Sequence, residues 1–185
     1  MKILITAVIA MSIASIGFVA PLHAATSPDS CFGFDGATIT NYYANEGNNL
    51  ANPACPRDVD IPATKGGNNV TGVSQYGMSS KGLTAPTLPS TLTNYGGYAF
   101  AHNQITELVV PEGIASIGTG VFRQNTLTQV TLPSTLTSIG DRAFVDNNLP
   151  SVDIPDGVTY YRATCFLGQP TDFDHDTEFC ADNSQ

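Results

Sequence analysis

The sequence is poor in the residues that nucleic-acid binding and common hydrolytic chemistry require. Only seven lysines and arginines stand against 16 aspartates and glutamates, giving a net charge of −9. An acidic surface repels phosphate backbones and anionic lipid headgroups, so we expect no nucleic-acid partner and no membrane partner. No Gly-x-Ser-x-Gly motif is present to place a nucleophilic serine on a strained turn. We therefore expect neither enzyme activity nor a cofactor, and an enzyme remains only a remote alternative.

Long apolar runs are also scarce, with a single one from Ile3 to Ala20 after the charge of Lys2. Pro21 ends the run and small residues follow, an order typical of a cleaved secretory signal peptide. A membrane anchor is the alternative, since the run is barely long enough to span a bilayer. We expect residues 1–24 to be removed and the mature protein to be secreted or periplasmic, without membrane contact.

The four cysteines all follow this predicted cleavage point and are Cys31, Cys55, Cys165 and Cys180. A chain bound for an oxidising compartment forms disulfides by default. Three pairings are possible, and two cysteines near each end of the mature chain favour Cys31–Cys55 and Cys165–Cys180. A zinc site is the alternative, although close Cys-x-x-Cys spacing is lacking. We expect each bridge to cap one end of the fold.

A repeat of 22 residues occupies most of the remaining sequence. Phenylalanines, proline dipeptides, asparagines and glycines all recur at this step. The columns include Phe100, Phe122, Phe144 and Phe166; Leu88-Pro89, Val110-Pro111, Leu132-Pro133 and Ile154-Pro155; Asn103, Asn125 and Asn147; and Gly96, Gly118 and Gly140. One repeat cannot bury its own apolar face, whereas stacked repeats share a continuous core. The period predicts a solenoid with the phenylalanines as one interior column.

Each repeat contains a short strand pattern, clearest from Leu127 to Leu132, where apolar residues flank the polar Thr131. Pro133 lacks an N–H and should end the strand. The same spacing predicts parallel strands near residues 83–88, 105–110, 127–132 and 149–154.

The second half of the repeat is expected to turn back through a short helix. Gly140 should supply an unusual backbone angle, and Asp141 should cap a helical turn that carries Ala143 and Phe144. The amide of Asn147 is positioned to bond backbone groups of adjacent repeats. These features predict an α/β solenoid of short parallel strands.

The two ends of the repeat region are irregular. Ile61-Pro62 lies 27 residues before Leu88-Pro89, so five extra residues form a loop insertion within residues 63–69. At the other end, Tyr161-Arg162 replaces the Ile-Gly pair of other repeats. Irregular first and last repeats are expected in a repeat protein, because they cover the ends of the stacked core.

The segment from Leu127 to Phe144 resembles the BspA-like subclass of bacterial leucine-rich repeats. Cys31-Phe-Gly-Phe-Asp and Cys55-Pro-Arg-Asp-Val-Asp-Ile-Pro resemble the cap that precedes such repeats in secreted bacterial proteins. The resemblance covers about residues 31–166. It implies a surface or secreted protein, some of whose relatives adhere to host proteins, and no catalytic residues. The expected organisation is a signal peptide (1–24), an N-terminal cap (25–60), a leucine-rich-repeat solenoid (61–166) and a C-terminal cap or tail (167–185).

The exposed side of the predicted strands is the candidate binding surface. Its small polar side chains, without aromatic anchors, suit a protein or glycan contact. The residues are Thr84, Thr87, Thr106, Glu107, Val109, Thr128, Gln129, Thr131, Ser151 and Asp153. The alternatives are a solvated sheet without a ligand, a structural or self-associating scaffold, and an ice-binding array along the threonine column. The oligomeric state stays open.

Metal-binding candidates are confined to the acidic tail. Asp172, Asp174 and Asp176 alternate at a spacing that can wrap calcium. The alternative is a solvated tail, because Thr177 stands where a calcium loop needs glycine. His102 is expected on the surface, since Gln124 and Asp146 occupy its position in the next two repeats.

Overall fold

The computed structural model describes residues 27–43, 55–162 and 164–169. In these ranges the regular structure is almost entirely β, with one 3-10 turn at Asp29–Cys31 and no α-helix. The strands are β1 (Phe32–Asp35), β2 (Thr38–Tyr42), β3 (Thr64–Lys65), β4 (Asn68–Asn69), β5 (Gly72–Val73), β6 (Asn94–Tyr95), β7 (Glu107–Val109), β8 (Ser116–Ile117), β9 (Gln129–Thr131), β10 (Ser138–Ile139) and β11 (Tyr160–Tyr161). Among these described residues, no helix is long and apolar enough to cross a membrane.

Apart from β2, the parallel strands form two separate columns, in which paired residues lie 22 positions apart. In the first strand column, β7 pairs with β9 and Glu107 faces Gln129. The second strand column contains β8, β10 and β11, which pair side by side, and also β5 and β6. Each column thus joins equivalent positions of neighbouring repeats.

The first strand column is shorter than the sequence predicted. β7 and β9 lie within the expected segments 105–110 and 127–132, but 83–88 contributes only a bridge between Thr87 and Asp60, and 149–154 forms no strand. The backbone ladder runs from Thr106 N–H to the carbonyl of Thr84, and from Thr128 N–H to that of Thr106. The next donor would be Pro150, which has no N–H, so the ladder stops there.

The helical turn expected after Asp141 is wrong, and with it the α part of the α/β class. The segment forms consecutive turns in which Arg142 has φ 56° and Asp146 has φ 57°. A right-handed helix needs negative φ at every residue, so these two positions exclude it. Equivalent residues repeat this geometry in two columns, Tyr76, Tyr98, Gly120 and Arg142, and Ser80, His102, Gln124, Asp146 and Gly168.

The role expected of Gly140 also needs correction, because it is not among the residues with positive φ. A Cβ atom added there would lie 2.7 Å from the carbonyl carbon of Gly118. A Cβ at Gly96 would lie 2.2 Å from the backbone nitrogen of Gln75. Gly96 and Gly140 therefore allow close approach of neighbouring repeats, whereas Gly118 has room for a Cβ atom.

The core is organised around the predicted phenylalanine column, which is confirmed. Phe100, Phe122, Phe144 and Phe166 are buried and stack with successive centroid distances of 5.5, 5.5 and 5.2 Å. Tyr95 packs edge-on against Phe100 and Phe122, a geometry that aromatic quadrupoles favour. The column links four successive repeats through one continuous interior.

A ladder of buried asparagines runs parallel to this column. The Asn125 amide donates to the carbonyls of Phe100 and Phe122 at 3.0 and 3.1 Å, and its oxygen accepts from Ile105 N–H at 3.2 Å. Asn103 and Asn147 make equivalent bonds, as the sequence predicted. Gln169 continues the ladder by accepting from Leu149 N–H and donating to the Phe144 carbonyl. We call these four residues the amide ladder.

The N-terminal end is closed by a hairpin and a disulfide. β1 and β2 pair antiparallel, and β2 then pairs parallel with β5. The predicted Cys31–Cys55 bridge is confirmed, and Phe32 beside it is buried in the core. The insertion at 63–69 forms a second hairpin, β3–β4, whose Gly66-Gly67 turn has positive φ at both residues.

At the other end, Cys165 is buried beside Phe166 in the last described repeat. Its predicted partner Cys180 lies outside the described residues, as do the predicted signal peptide and the calcium candidates Asp172, Asp174 and Asp176.

Candidate functional site: the exposed strand face

The candidate face is built on β7 and β9, whose alternation separates an inner from an outer side. Glu107 and Val109 point outward, whereas Leu108 between them is 3% exposed. Gln129 and Thr131 lie opposite them on β9, in parallel register. Four predicted site residues therefore form one contiguous exposed patch, which we call the strand face.

Two threonines extend the strand face toward the start of each strand. Thr106 and Thr128 are exposed, and the Thr128 hydroxyl donates to the Thr106 carbonyl at 3.2 Å. The backbone N–H of Thr128 donates to the same carbonyl at 2.8 Å. Because the main chain is already paired here, recognition on this face depends on side chains.

The remaining predicted site residues lie at the margins. Thr87 is exposed and bridges to Asp60, whereas Thr84 is only half-exposed. Ser151 and Asp153 are exposed, but their segment forms no strand beyond the proline break. The structure thus brings Thr106, Glu107, Val109, Thr128, Gln129 and Thr131 together and leaves the other four outside the paired strands.

The chemistry of the strand face is mixed, with one apolar side chain among polar neighbours. Val109 is 59% exposed and is among the few large hydrophobic side chains that face solvent in the described chain. Beside it lie the carboxylate of Glu107, the amide of Gln129 and the hydroxyl of Thr131. An apolar centre with a polar rim is the common anatomy of a protein-binding patch.

A carboxylate in the turn after β7 ties two repeats together. Glu112 accepts hydrogen bonds from the N–H and the hydroxyl of Ser134 at 3.0 and 3.1 Å. These bonds, led by that from the Ser134 backbone, lower the pKa of Glu112 below its usual value. Near neutral pH the contact therefore holds a charged carboxylate.

Other candidate chemistry stays apart from the strand face. His102 is exposed in a loop with φ 57°, as its polar column predicted. Within the described ranges, no group of three histidine, cysteine or acidic residues is arranged to hold a metal ion.

The sequence interpretation missed two structural features, and the 22-residue step could have revealed the first of them. Gln169 falls one repeat after Asn147, so the column offered a signal for the last rung of the amide ladder. The second strand column was also missed, because two-residue strands such as β8 and β10 are too short to show an alternating pattern.

Comparison with known proteins adds independent evidence on the family. Residues 57–171 match the family model described as BspA type leucine-rich repeat region, in six copies. A leucine-rich repeat protein from Bacteroides ovatus ATCC 8483 has a similar structure, with a TM-score of 0.58 and 23% identity. A leucine-rich cell surface protein from Faecalibacterium prausnitzii A2-165 is 21% identical, with a TM-score of 0.37. No curated protein matches the sequence.

Both structural relatives are larger than this chain. Each similarity covers 82% of this chain, but only 42% of the Bacteroides protein and 55% of the Faecalibacterium protein. At 23% identity, the Bacteroides structure carries information about the fold alone. The family model covers more than half of the sequence, including the phenylalanine column and the amide ladder. The chain belongs to the BspA-type leucine-rich repeat family.

Proposed function

We propose that this chain is an extracellular, non-catalytic interaction module that binds a protein partner through the strand face. The repeat family is in keeping with an interaction or scaffold role. The observation that carries the proposal is Val109, which is 59% exposed at the end of β7, beside the polar side chains of the paired strands. An exposed apolar group held on rigid backbone loses little freedom when a partner covers it.

We further infer that successive repeats stack into a short solenoid. The parallel pairing of residues 22 positions apart supports this architecture, as do the stacked phenylalanines. The expected location outside the cytoplasm is supported by the Cys31–Cys55 bridge, since disulfides persist in oxidising compartments.

The proposal is tested by pairing a face variant with a surface control. Val109→Lys combined with Thr131→Lys places two charges on the strand face, whereas Gln75→Lys changes an exposed position outside it. Immobilised wild-type protein and both variants are incubated with extracellular protein fractions and with a glycan array. We expect specific protein ligands to be captured by the wild type and the control, and lost by the face variant.

Two outcomes would contradict this function. Equal capture of ligands by all three proteins would mean that binding occurs outside the strand face. Glycan binding that is lost only in the face variant would mean that the ligand is a sugar and not a protein. Self-association is the structural alternative. Sedimentation velocity over a range of concentrations would reveal it as a concentration-dependent oligomer that the face variant abolishes.

A further inference from the structure

A groove on the second strand column lies apart from the strand face. It is an open depression that runs across β8, β10 and β11 and the turns that follow them, with a volume of about 620 Å³. Its polar lining includes Ser116, Thr119, Ser138, Asp141, Tyr160 and Arg162. The volume lies within the range of small-molecule binding sites.

The floor of the groove presents hydroxyl groups at equivalent positions of adjacent repeats. Ser138 donates to the Ser116 hydroxyl oxygen at 2.8 Å. This bond leaves the Ser116 O–H available to a ligand oxygen, and the Ser138 oxygen available to a ligand donor. The two hydroxyls therefore form one hydrogen-bonded pair that bridges β8 and β10.

One carboxylate in the lining is held in place by its neighbours. Thr164 donates a hydrogen bond to Oδ1 of Asp141, and Oδ2 lies 3.9 Å from Nε of Arg142. Asp141, which lines the groove, is therefore held by a contact at each of its carboxylate oxygens. A fixed carboxylate that accepts from hydroxyl groups is a common means of holding a polyol.

Arg162 supplies the cationic group at the end of the groove. Its guanidinium lies 5.8 Å from the centroid of the Tyr160 ring, and this ring is itself 46% exposed. No carboxylate of the described residues lies within ion-pair distance of Arg162. The ring restricts the guanidinium without neutralising it, so a ligand carboxylate can form a charge-assisted contact.

We propose that this groove binds a saccharide that carries a single carboxylate, such as a glucuronyl disaccharide. Arg162 pairs with the carboxylate, and the serine pair and Asp141 bond the ring hydroxyls. A peptide fits the same surface less well, because most of the lining side chains bear hydroxyls or charges and Ile117 among them is buried. A ligand with one charge also limits repulsion by the acidic chain, whose net charge is −9.

The test uses two disaccharides that differ only in the carboxylate. Cellobiouronic acid and cellobiose are titrated into the isotope-labelled full-length protein, and amide shifts are followed by NMR. We expect cellobiouronic acid to shift Ser116, Ser138 and Arg162, and to bind roughly tenfold more tightly than cellobiose. Arg162→Gln should abolish that difference, whereas Arg57→Gln, at another exposed arginine, should keep it.

Three results would overturn the proposal. One is equal binding of both disaccharides to the wild type, and another is loss of the difference between them in Arg57→Gln as well as in Arg162→Gln. The third is a shift of these amides by a short acidic peptide but not by cellobiouronic acid. The Val109→Lys/Thr131→Lys variant should bind cellobiouronic acid normally, so this test is separate from that of the strand face.

Discussion

Seven non-glycine residues of the described chain have positive φ, and all fall into the two columns that turn each repeat. A left-handed backbone costs an ordinary residue about 1–2 kcal/mol relative to glycine. The turns of successive repeats therefore carry a recurring backbone strain. Glycine relieves this strain at Gly120 and Gly168. The other repeats tolerate the strain because stacking fixes their backbone on both sides.

This strain makes Gln124 a site for stabilisation. Gln124 is exposed with φ 53°, so Gln124→Gly should raise the free energy of unfolding by about 0.5–1 kcal/mol in a urea titration. Gln129→Gly is the matched control, since Gln129 is exposed on β9, and it should lower stability by a similar amount. A loss of stability in both variants would contradict the strain argument.

Two buried tyrosines differ in how their hydroxyls are satisfied. The Tyr95 hydroxyl is buried without a hydrogen-bond partner among the described residues, whereas that of Tyr42 donates to the Pro56 carbonyl at 2.6 Å. Burial raises the pKa of both groups, for Tyr42 to about 12. Each phenol therefore stays neutral at physiological pH. Only the Tyr42 hydroxyl has a hydrogen bond that offsets the cost of its burial.

Removing these hydroxyls should have opposite effects. Tyr95→Phe should leave stability unchanged or raise it by up to about 1 kcal/mol, because it deletes an unsatisfied polar group. Tyr42→Phe should lower stability by about 1 kcal/mol, because it orphans the Pro56 carbonyl. Thermal unfolding followed by circular dichroism compares the two, and a larger loss in Tyr95→Phe would contradict the assignment.

At the scale of elements, the amide ladder adds buried side-chain hydrogen bonds to the backbone bonds between repeats. Asn125→Ala would leave the buried Ile105 N–H without its partner, whereas the Phe100 and Phe122 carbonyls would keep their bonds from Asn103 and Asn147. Since one unsatisfied buried group costs about 1–3 kcal/mol, a loss of that size is expected in urea unfolding.

Two further variants sharpen the test of the ladder. Asn148→Ala changes a neighbouring exposed asparagine and should cost little. Asn125→Gln should recover part of the loss, since Gln169 performs the same role in the last described repeat. If Asn125→Ala and Asn148→Ala proved equally mild, the ladder would be a minor contributor.

The Glu112–Ser134 contact gives the turns a dependence on pH. Its depressed pKa means that the contact stabilises the fold above the usual glutamate value of 4.5, and that this contribution is lost as pH falls through the folded pKa. Ser134→Ala removes the hydroxyl donor and should move the pKa of Glu112 back toward 4.5. An NMR titration of the side-chain carboxyl measures this shift. Ser138→Ala should leave the pKa unchanged, and an equal shift there would exclude the local bond as its cause.

The sequence predicted elements only where side chains alternate or recur. Val130 between polar neighbours marked β9, and the phenylalanine step marked the core column. The turns were mistaken for helix because Arg142 and Asp146 are not glycines, so their positive φ carries no sequence signal. In the candidate site, the outward side of β7 and β9 was predictable from the sequence. The point at which the first strand column ends was not, because it depends on the backbone ladder requiring an N–H at Pro150.

At the scale of the whole molecule, the groove lay beyond sequence reasoning for a different reason. Tyr160 and Arg162 belong to the irregular last repeat and become a site only when β11 packs beside β10. The same packing brings Ser116, Ser138 and Asp141 to one surface from two other repeats. No single repeat contains the pattern, so no repeat-by-repeat interpretation could reveal it.

The N-terminal bridge should contribute stability to the entire molecule. Cys31 and Cys55 are 24 residues apart, and closing such a loop stabilises by about 3–4 kcal/mol in the chain-entropy model. The double variant Cys31→Ser/Cys55→Ser should therefore unfold at markedly lower urea concentration than the oxidised protein. Wild-type protein reduced under native conditions should have the same urea midpoint as the variant. A variant midpoint equal to that of the oxidised protein would mean that packing alone stabilises the hairpin.

The amide ladder points in one direction along the chain. Asn103 bonds backbone groups of Met78, Lys81 and Leu83, all in the preceding repeat, and Asn125 and Asn147 follow the same rule. Within the amide ladder, each repeat thus receives its side-chain bonds from its successor. When the chain emerges from a ribosome or a translocation channel, its repeats would accordingly fold in sequence order. The newest repeat would lack its asparagine hydrogen bonds until the next 22 residues had followed it.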